Sequence, residues 1–307
     1  MATCRARSSL RPGQDPCRPH HPYRGTGASA VQRHVAARIP AAKGDWALSD
    51  EEDTVLSRAL AGLRARETLR GPSALICDPY ARCLAGKDWE IGTQRDDTGL
   101  GVVQMLDQYI LHATLTEHPD KQEDIVQVVL LGDAMDTRPF RLDWPSGIVF
   151  YLVAPTEAHS VAASALAAAA AQAPRGCLLR RVRTDGPLAL DAALVAAGFR
   201  GDRLSAWLLQ RPGCGAGSLP GLLEGAGELA AHGSLVLGEV PPDWSARHAL
   251  DQLAVAGLLG ATRAAPGGAG VVFHATQQRL SAQQAQLFRD HVGAAEAADE
   301  DFFGNFS

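Results

Sequence analysis

The residues best equipped for chemistry lie close together in QVVLLGDAMDTRPFRL, positions 127–142. An apolar run of strand length ends at Gly132, and Asp133, Asp136 and Arg138 follow within six residues. Glycine lets a backbone approach a ligand with no Cβ in the way. In largely parallel sheets ligands bind beyond the carboxyl ends of the strands, so a strand ending at Gly132 puts these charges where a cofactor would sit. A strand followed by one glycine is, alone, a weak signal.

Several other chemistries lack their signatures. The G-x-G-x-x-G dinucleotide fingerprint and the P-loop are absent, which weighs against a nicotinamide oxidoreductase and against phosphate cradling. There is no His-Glu-x-x-His or Gly-x-Ser-x-Gly, and His112, His118, His159 and His232 show no ligand pairing, so they read as surface or core residues. The six cysteines (Cys4, Cys17, Cys77, Cys83, Cys177 and Cys214) fit neither a zinc site nor a disulfide framework. No metal is expected.

The elements that must position the loop begin near Asp124, where short β-rich runs alternate with Ala/Leu-rich helical stretches. Candidate strands are 126–131, 148–153, 178–184, 204–209, 234–239 and 271–275; candidate helices lie near 157–172, 187–197, 219–231 and 245–256. Such alternation predicts an α/β fold with a largely parallel sheet and helices on both faces. Upstream, 49–69 carries apolar residues at helical spacing and is closed by Gly71-Pro72; a second helix is expected over 101–118. The division predicted is a leader over 1–44, a helical cap over 45–122, a Rossmann-like domain over 123–280, and a helical end with an acidic disordered tail over 281–307.

The net charge of −5 hides an asymmetry. Residues 1–43 hold eight of the 29 basic residues and one of the 34 acidic ones, so the remainder has 21 and 33 and carries −12. An acidic body argues against a nucleic-acid partner. The Arg-rich, acid-poor leader lacks a secretory apolar core and resembles an organelle transit peptide; chloroplast is expected ahead of mitochondrion or cytoplasm. The run at 161–173 is too short and Ala-rich to span a bilayer.

Larger blocks carry a family resemblance. Arg66-Glu67, CDPYARCLAG at 77–86, QVVLLGDAMDTRPFRLDWP at 127–145 and GFRGDRLSAWLLQ at 198–210 follow one another in an order and spacing that resembles the leucine carboxyl methyltransferase-like family of class I S-adenosylmethionine-dependent methyltransferases. The family shows Arg-x-x-Glu or Arg-Ala-x-Glu, then Asp-Pro-Tyr-Ala, then Gly-Ala-Gly-x-Asp-Thr-Arg. The resemblance spans about residues 50–260. It implies a doubly wound, mostly parallel seven-stranded sheet under an N-terminal helical lid. It also implies S-adenosyl-L-methionine as cofactor and methyl transfer to a carboxylate or hydroxyl of a small molecule or protein C-terminus. The cofactor-site residues implied are Gly132, Asp133, Ala134, Asp136, Arg138, Asp185 near the adenine, Gln210, and Arg66 on the lid.

Departures from the pattern are equally legible. Gly-Ala-Gly is here Gly132-Asp133-Ala134. The family's ribose-binding acids fall on Tyr151-Leu152-Val153-Ala154-Pro155, with Glu157 the first acid, and Trp-x-x-Glu-Gly becomes Trp207-Leu208-Leu209-Gln210-Arg211. Losing a charge-assisted acceptor would cost about 1.5–3 kcal/mol. These changes keep a second reading open, a methyltransferase-fold protein that has lost catalysis and acts as a binding or scaffold protein.

Overall fold

A computed structural model of the protein describes residues 50–86, 98–115, 124–183, 190–210, 218–268 and 270–290. The leader, His118, Asp185, Arg211, Cys214 and the acidic tail lie outside them.

The seven strands of the described residues form one sheet: β1 (Gln127–Leu131), β2 (Val149–Ala154), β3 (Leu178–Arg183), β4 (Ser205–Leu209), β5 (Leu235–Val240), β6 (Leu258–Ala264) and β7 (Val271–Gln277), in the order β3-β2-β1-β4-β5-β7-β6. β7 runs antiparallel to both its neighbours, and the pairings of β1 to β5 are parallel. This is the doubly wound, Rossmann-like architecture expected from the resemblance. Strand order reverses between β1 and β4, so the switch-point crevice opens beyond Leu131 and Leu209.

Alternation along the strands assigns the two faces. Val129, Leu131, Tyr151, Val153 and Trp207 pack into one layer with Leu190 and Leu194 of α6 (Leu190–Ala196), Leu222 and Leu223 of α7 (Leu219–Leu229) and Leu253 of α8 (Ala246–Val255). Val128, Leu130, Phe150 and Leu152 face the opposite layer, built on Val102, Leu106 and Ile110 of α3 (Thr98–Leu115). Every residue of β1 and β4 is buried, which is why both read as continuous apolar runs.

The helical cap meets the sheet through a third cluster. Ala61 of α1 (Asp50–Thr68), Leu84 of α2 (Ala81–Leu84) and Ala162 and Leu166 of α5 (Thr156–Ala168) close around Met135. Met135 lies in the β1 loop, so the cap is built onto the chemistry-bearing segment. A short helix, α4 (Arg138–Arg141), completes that loop. Residues 282–290 are helical.

Most predicted elements stand within a few residues of their expected ends. The exception is β6, which the sequence pattern missed. It is an edge strand whose burial alternates, but Leu259 on the outward face is 69% exposed and Gly260 stands on the inward one, so the residue types do not show the alternation. No described helix is long and apolar enough to cross a membrane.

Candidate functional site

Gly132 has φ +98°, a left-handed conformation that side chains rarely adopt, and this turns the chain sharply at the end of β1. The next seven residues, Asp133 to Pro139, are buried. Ala134 packs against Ala154 at the end of β2 and Ala158 on α5. The strand ends at this crevice are thus built from a glycine and small, buried side chains.

Beneath the loop lie two linked ion-pair systems. The first centres on Arg138, whose Nε donates to Asp107 Oδ1 at 2.6 Å, Nη1 to Asp136 Oδ2 at 2.6 Å and Nη2 to Gln210 Oε1 at 2.5 Å. Arg141 adds a two-pronged pairing to Asp107, at 2.6 and 2.9 Å. Burial would depress the Arg138 guanidinium, but Asp136 and Asp107 hold it above its ordinary value. The partner of Arg138 is therefore the protein's own carboxylates.

The second centres on Arg64 of α1. Its Nε donates to Asp78 Oδ2 at 2.9 Å, Nη2 to the Met135 carbonyl at 2.8 Å, and Nη1 reaches Asp133 Oδ2 at 3.4 Å. Asp78 also accepts from Thr137 Oγ1 at 2.5 Å and, through Oδ1, from the N–H groups of Tyr80 and Ala81. The Asp-Pro-Tyr-Ala block is thus a turn whose carboxylate fastens the cap to the loop.

The structure gives the neighbours of four residues that the sequence singles out, Arg66 by its neighbour Arg64, Glu67, Asp133 and Gln210. Arg64 of α1 is tied to the loop; the spacing Arg64-Ala65-Arg66-Glu67 satisfies Arg-Ala-x-Glu and could have shown it. Glu67 is buried but turns to the Leu75 N–H at 2.6 Å and to Arg70. Asp133 accepts from the Met135 N–H at 2.8 Å and faces Arg64, so its carboxylate serves the loop itself. Gln210 likewise spends its side-chain oxygen on Arg138. Sequence reasoning missed Asp107 and gave Asp78 no role; Asp107 had one signal, a lone acid in the apolar stretch GVVQMLDQYIL.

The segment on which the family's ribose-binding acids fall is buried from Tyr151 to Ala154. Tyr151 and Val153 point into the core, where Tyr151 and Trp207 each stack edge-on against Phe199 and the Tyr151 hydroxyl donates to the Gly198 carbonyl at 2.9 Å. Glu157 is exposed on α5. His159 is a core residue, its Nε2 3.0 Å from the Val182 carbonyl and its pKa lowered by burial. Among the described residues no cluster of His, Cys, Asp and Glu could hold a metal ion.

The two acids of the loop titrate in opposite directions. Burial pushes the Asp133 carboxyl up, an effect that Arg64 offsets only in part and Asp136 reinforces. Burial would raise Asp136 too, but Arg138, its backbone N–H, Arg141 and Arg64 bring it below the ordinary value. Asp136 therefore contributes stability that is complete above about pH 4 and is lost as pH falls through its lowered value. Asp133 works the other way: above about pH 4 the native state holds a proton that the unfolded chain has shed, so stability falls as pH rises to the raised value. Asp133→Asn should consequently gain on wild type in urea midpoint as pH rises from about 4 toward the raised value. A pH-independent difference would refute the assignment.

The sequence profile of the leucine carboxyl methyltransferase family matches residues 58–211, about half of the chain, including both ion-pair systems. The chain belongs to this family. Among curated relatives, O-methyltransferase 1, chloroplastic, of Oryza sativa subsp. japonica is 34% identical over 244 residues, covering 76% of this chain and 65% of the relative. A putative S-adenosyl-L-methionine-dependent methyltransferase of Mycolicibacterium gilvum is 34% identical over 157 residues, 46% of this chain and 51% of its own length. The chain thus spans about half to two thirds of the length of these curated relatives. Among solved structures, the CurJ carbon methyltransferase is 12% identical with TM-score 0.44, over 73% of this chain and 67% of that one.

Proposed function

We propose that the protein is an S-adenosylmethionine-dependent O-methyltransferase. The observation that carries this reading is the left-handed Gly132 turn at the switch point, backed by Ala134 and Ala154 and held by the Arg64 and Arg138 systems, in a chain of this family. Both curated relatives are named as methyltransferases. The residues fit the methionine half of the cofactor: a backbone turn without a Cβ, small neighbours, and buried carboxylates in a region that receives a cation. Gly132 and Ala134 would line it; Asp133, Asp136, Arg138 and Gln210 would fix the loop's shape. When bound, the cofactor supplies an electrophilic methyl group, and the protein contributes alignment and exclusion of water.

The same geometry favours an acceptor that is already ionised. Asp78, Asp107, Asp133 and Asp136 are buried and engaged by arginines, so none stands ready to take a proton from a hydroxyl. A carboxylate acceptor, with a pKa near 4, needs no such base. The test is transfer from methyl-labelled cofactor to small-molecule and protein fractions of an extract, followed by mild alkali. Methyl esters release labelled methanol, whereas ethers do not; label stable to alkali would overturn the carboxylate reading, and no transfer at all would overturn the enzymatic one.

A chloroplast address is part of this proposal. It rests on the basic, acid-poor residues 1–43 and on the compartment in the rice relative's name. Import of a fluorescent protein fused to residues 1–44 tests it, and a purely cytosolic signal would refute it.

A further inference from the structure

The charges beneath the Gly132 loop do not cancel. Among the described residues the two linked systems contain three arginines, Arg64, Arg138 and Arg141, against four aspartates, Asp78, Asp107, Asp133 and Asp136. All seven side chains are at most one-tenth exposed. Six of the charges are closely matched: Arg138 and Arg141 with Asp107 and Asp136 at 2.6 Å, and Arg64 with Asp78 at 2.9 Å. Asp133 is left with the longest contact among these best pairings, 3.4 Å to an arginine already committed to Asp78 and to the Met135 carbonyl. It is the surplus anion, and it sits one residue beyond the Gly132 turn. Burial, more than any neighbour, pushes its carboxyl up, and Arg64 offsets this only in part, so the surplus charge is the one present above that raised value.

We infer that Asp133, as the uncompensated charge of the buried cluster, makes the site discriminate by net charge between the cofactor and its demethylated product. This rests on the reading of the site as one for S-adenosylmethionine. That molecule carries a sulfonium, an ammonium and a carboxylate, a net charge of +1. On transfer the S–CH3 bond breaks, its electron pair stays on sulfur, and the thioether product is neutral overall. A low-dielectric region with one excess negative charge attracts the first and is indifferent to the second. Asp133 need not touch the ligand for this, since a buried charge acts at a distance with little screening by salt. Gln210 completes the logic. It accepts from Arg138 at 2.5 Å where a glutamate would fit the same bond, so position 210 is a second place at which one carboxylate can be added without rebuilding the cluster.

Calorimetric titration of the full chain with S-adenosylmethionine and with S-adenosylhomocysteine, at pH 8, tests the inference. Asp133→Asn keeps the shape and an oxygen to accept from the Met135 N–H. It should lower the ratio of the two affinities, cofactor over product, by about tenfold, chiefly through weaker cofactor binding. Adding Gln210→Glu to Asp133→Asn should bring the ratio back toward wild type, because the count of charges is restored at a different position. A merely structural role for Asp133 would weaken both ligands alike and leave the ratio unmoved, and that outcome overturns the inference while the cofactor assignment stands. A reduced ratio that Gln210→Glu does not restore would also overturn it, showing a local contact and not net charge. If folded wild-type protein binds neither molecule, the reading of the site fails and the inference with it.

Discussion

Replacing Arg138 with methionine should lower the unfolding free energy by about 3–5 kcal/mol, the usual cost of leaving buried charges without their partner. The guanidinium is the only group that joins α3, the β1 loop and the end of β4 among the described contacts, through Asp107, Asp136 and Gln210 respectively. Its backbone carbonyl also accepts from Trp144 Nε1 at 2.8 Å, and Trp144 stacks edge-on against Phe150 of β2. Methionine retains the stem's packing and the backbone bond, so the loss reports the charges. Arg141 still covers Asp107 in the variant, which leaves Asp136 the more exposed to the change. Combining the substitution with Asp136→Asn should therefore recover a large part of the loss, because the orphaned carboxylate is then gone. Chemical denaturation of the two single variants and the double variant measures this. Strict additivity would show that Arg138 and Asp136 are not coupled, contrary to the 2.6 Å contact.

How far the sequence discloses this arrangement differs from residue to residue. β1 and β4 are legible because both faces of each are covered, giving apolar runs; β6 is not, because its burial alternates while its residue types do not, Leu259 facing outward and Gly260 inward. The β1 loop is legible as a charged segment after a glycine, but the owners of its partners are not. Asp107 and Asp78 lie 31 and 59 residues away in sequence from the groups they bind, and no local pattern announces a pairing across that separation. Arg64 and Arg66 are two positions apart on one helix, about 200° around its axis, so only one can face the loop. The flanking residues decide which: Ala61 and Ala65 are buried with Arg64. Tyr151 shows the converse case. It opens the segment 151–155 on which the family's ribose-binding acids fall, yet it lies in the middle of β2 as a core residue whose hydroxyl has its own acceptor.

Asp78→Ala should act on a different scale from Arg138→Met, loosening the cap before the sheet. Asp78 is where the turn at 78–81, the lid helix α1 and the β1 loop meet: its Oδ1 holds the Tyr80 and Ala81 N–H groups, and its Oδ2 holds Arg64 and Thr137. Alanine removes all four bonds at once and leaves Arg64 a buried cation facing only the distant Asp133 oxygen and the Met135 carbonyl. A cost of about 3–5 kcal/mol follows from the uncompensated arginine, and what then holds α1 is apolar: Ala61 in the cluster with Leu84, Met135 and Leu166, and the half-buried Leu60 and Leu63 against Ile76, Leu100 and Val103. The sheet, by contrast, keeps both of its layers intact. Local opening of α1 should then become cheaper than global unfolding, and amide exchange read by mass spectrometry should quicken over residues 54–68 with little change over β1 and β4. Asp78→Asn retains the two backbone acceptor bonds and loses the charge, so its exchange should lie between alanine and wild type. Uniform acceleration over helix and sheet alike would mean that the cap and the sheet open as one unit and that Asp78 is not the fastening between them. If the cap does loosen selectively, S-adenosylmethionine should slow exchange in α1 as well as in the β1 loop, since Arg64 ties the two together through the Met135 carbonyl and ordering one constrains the other.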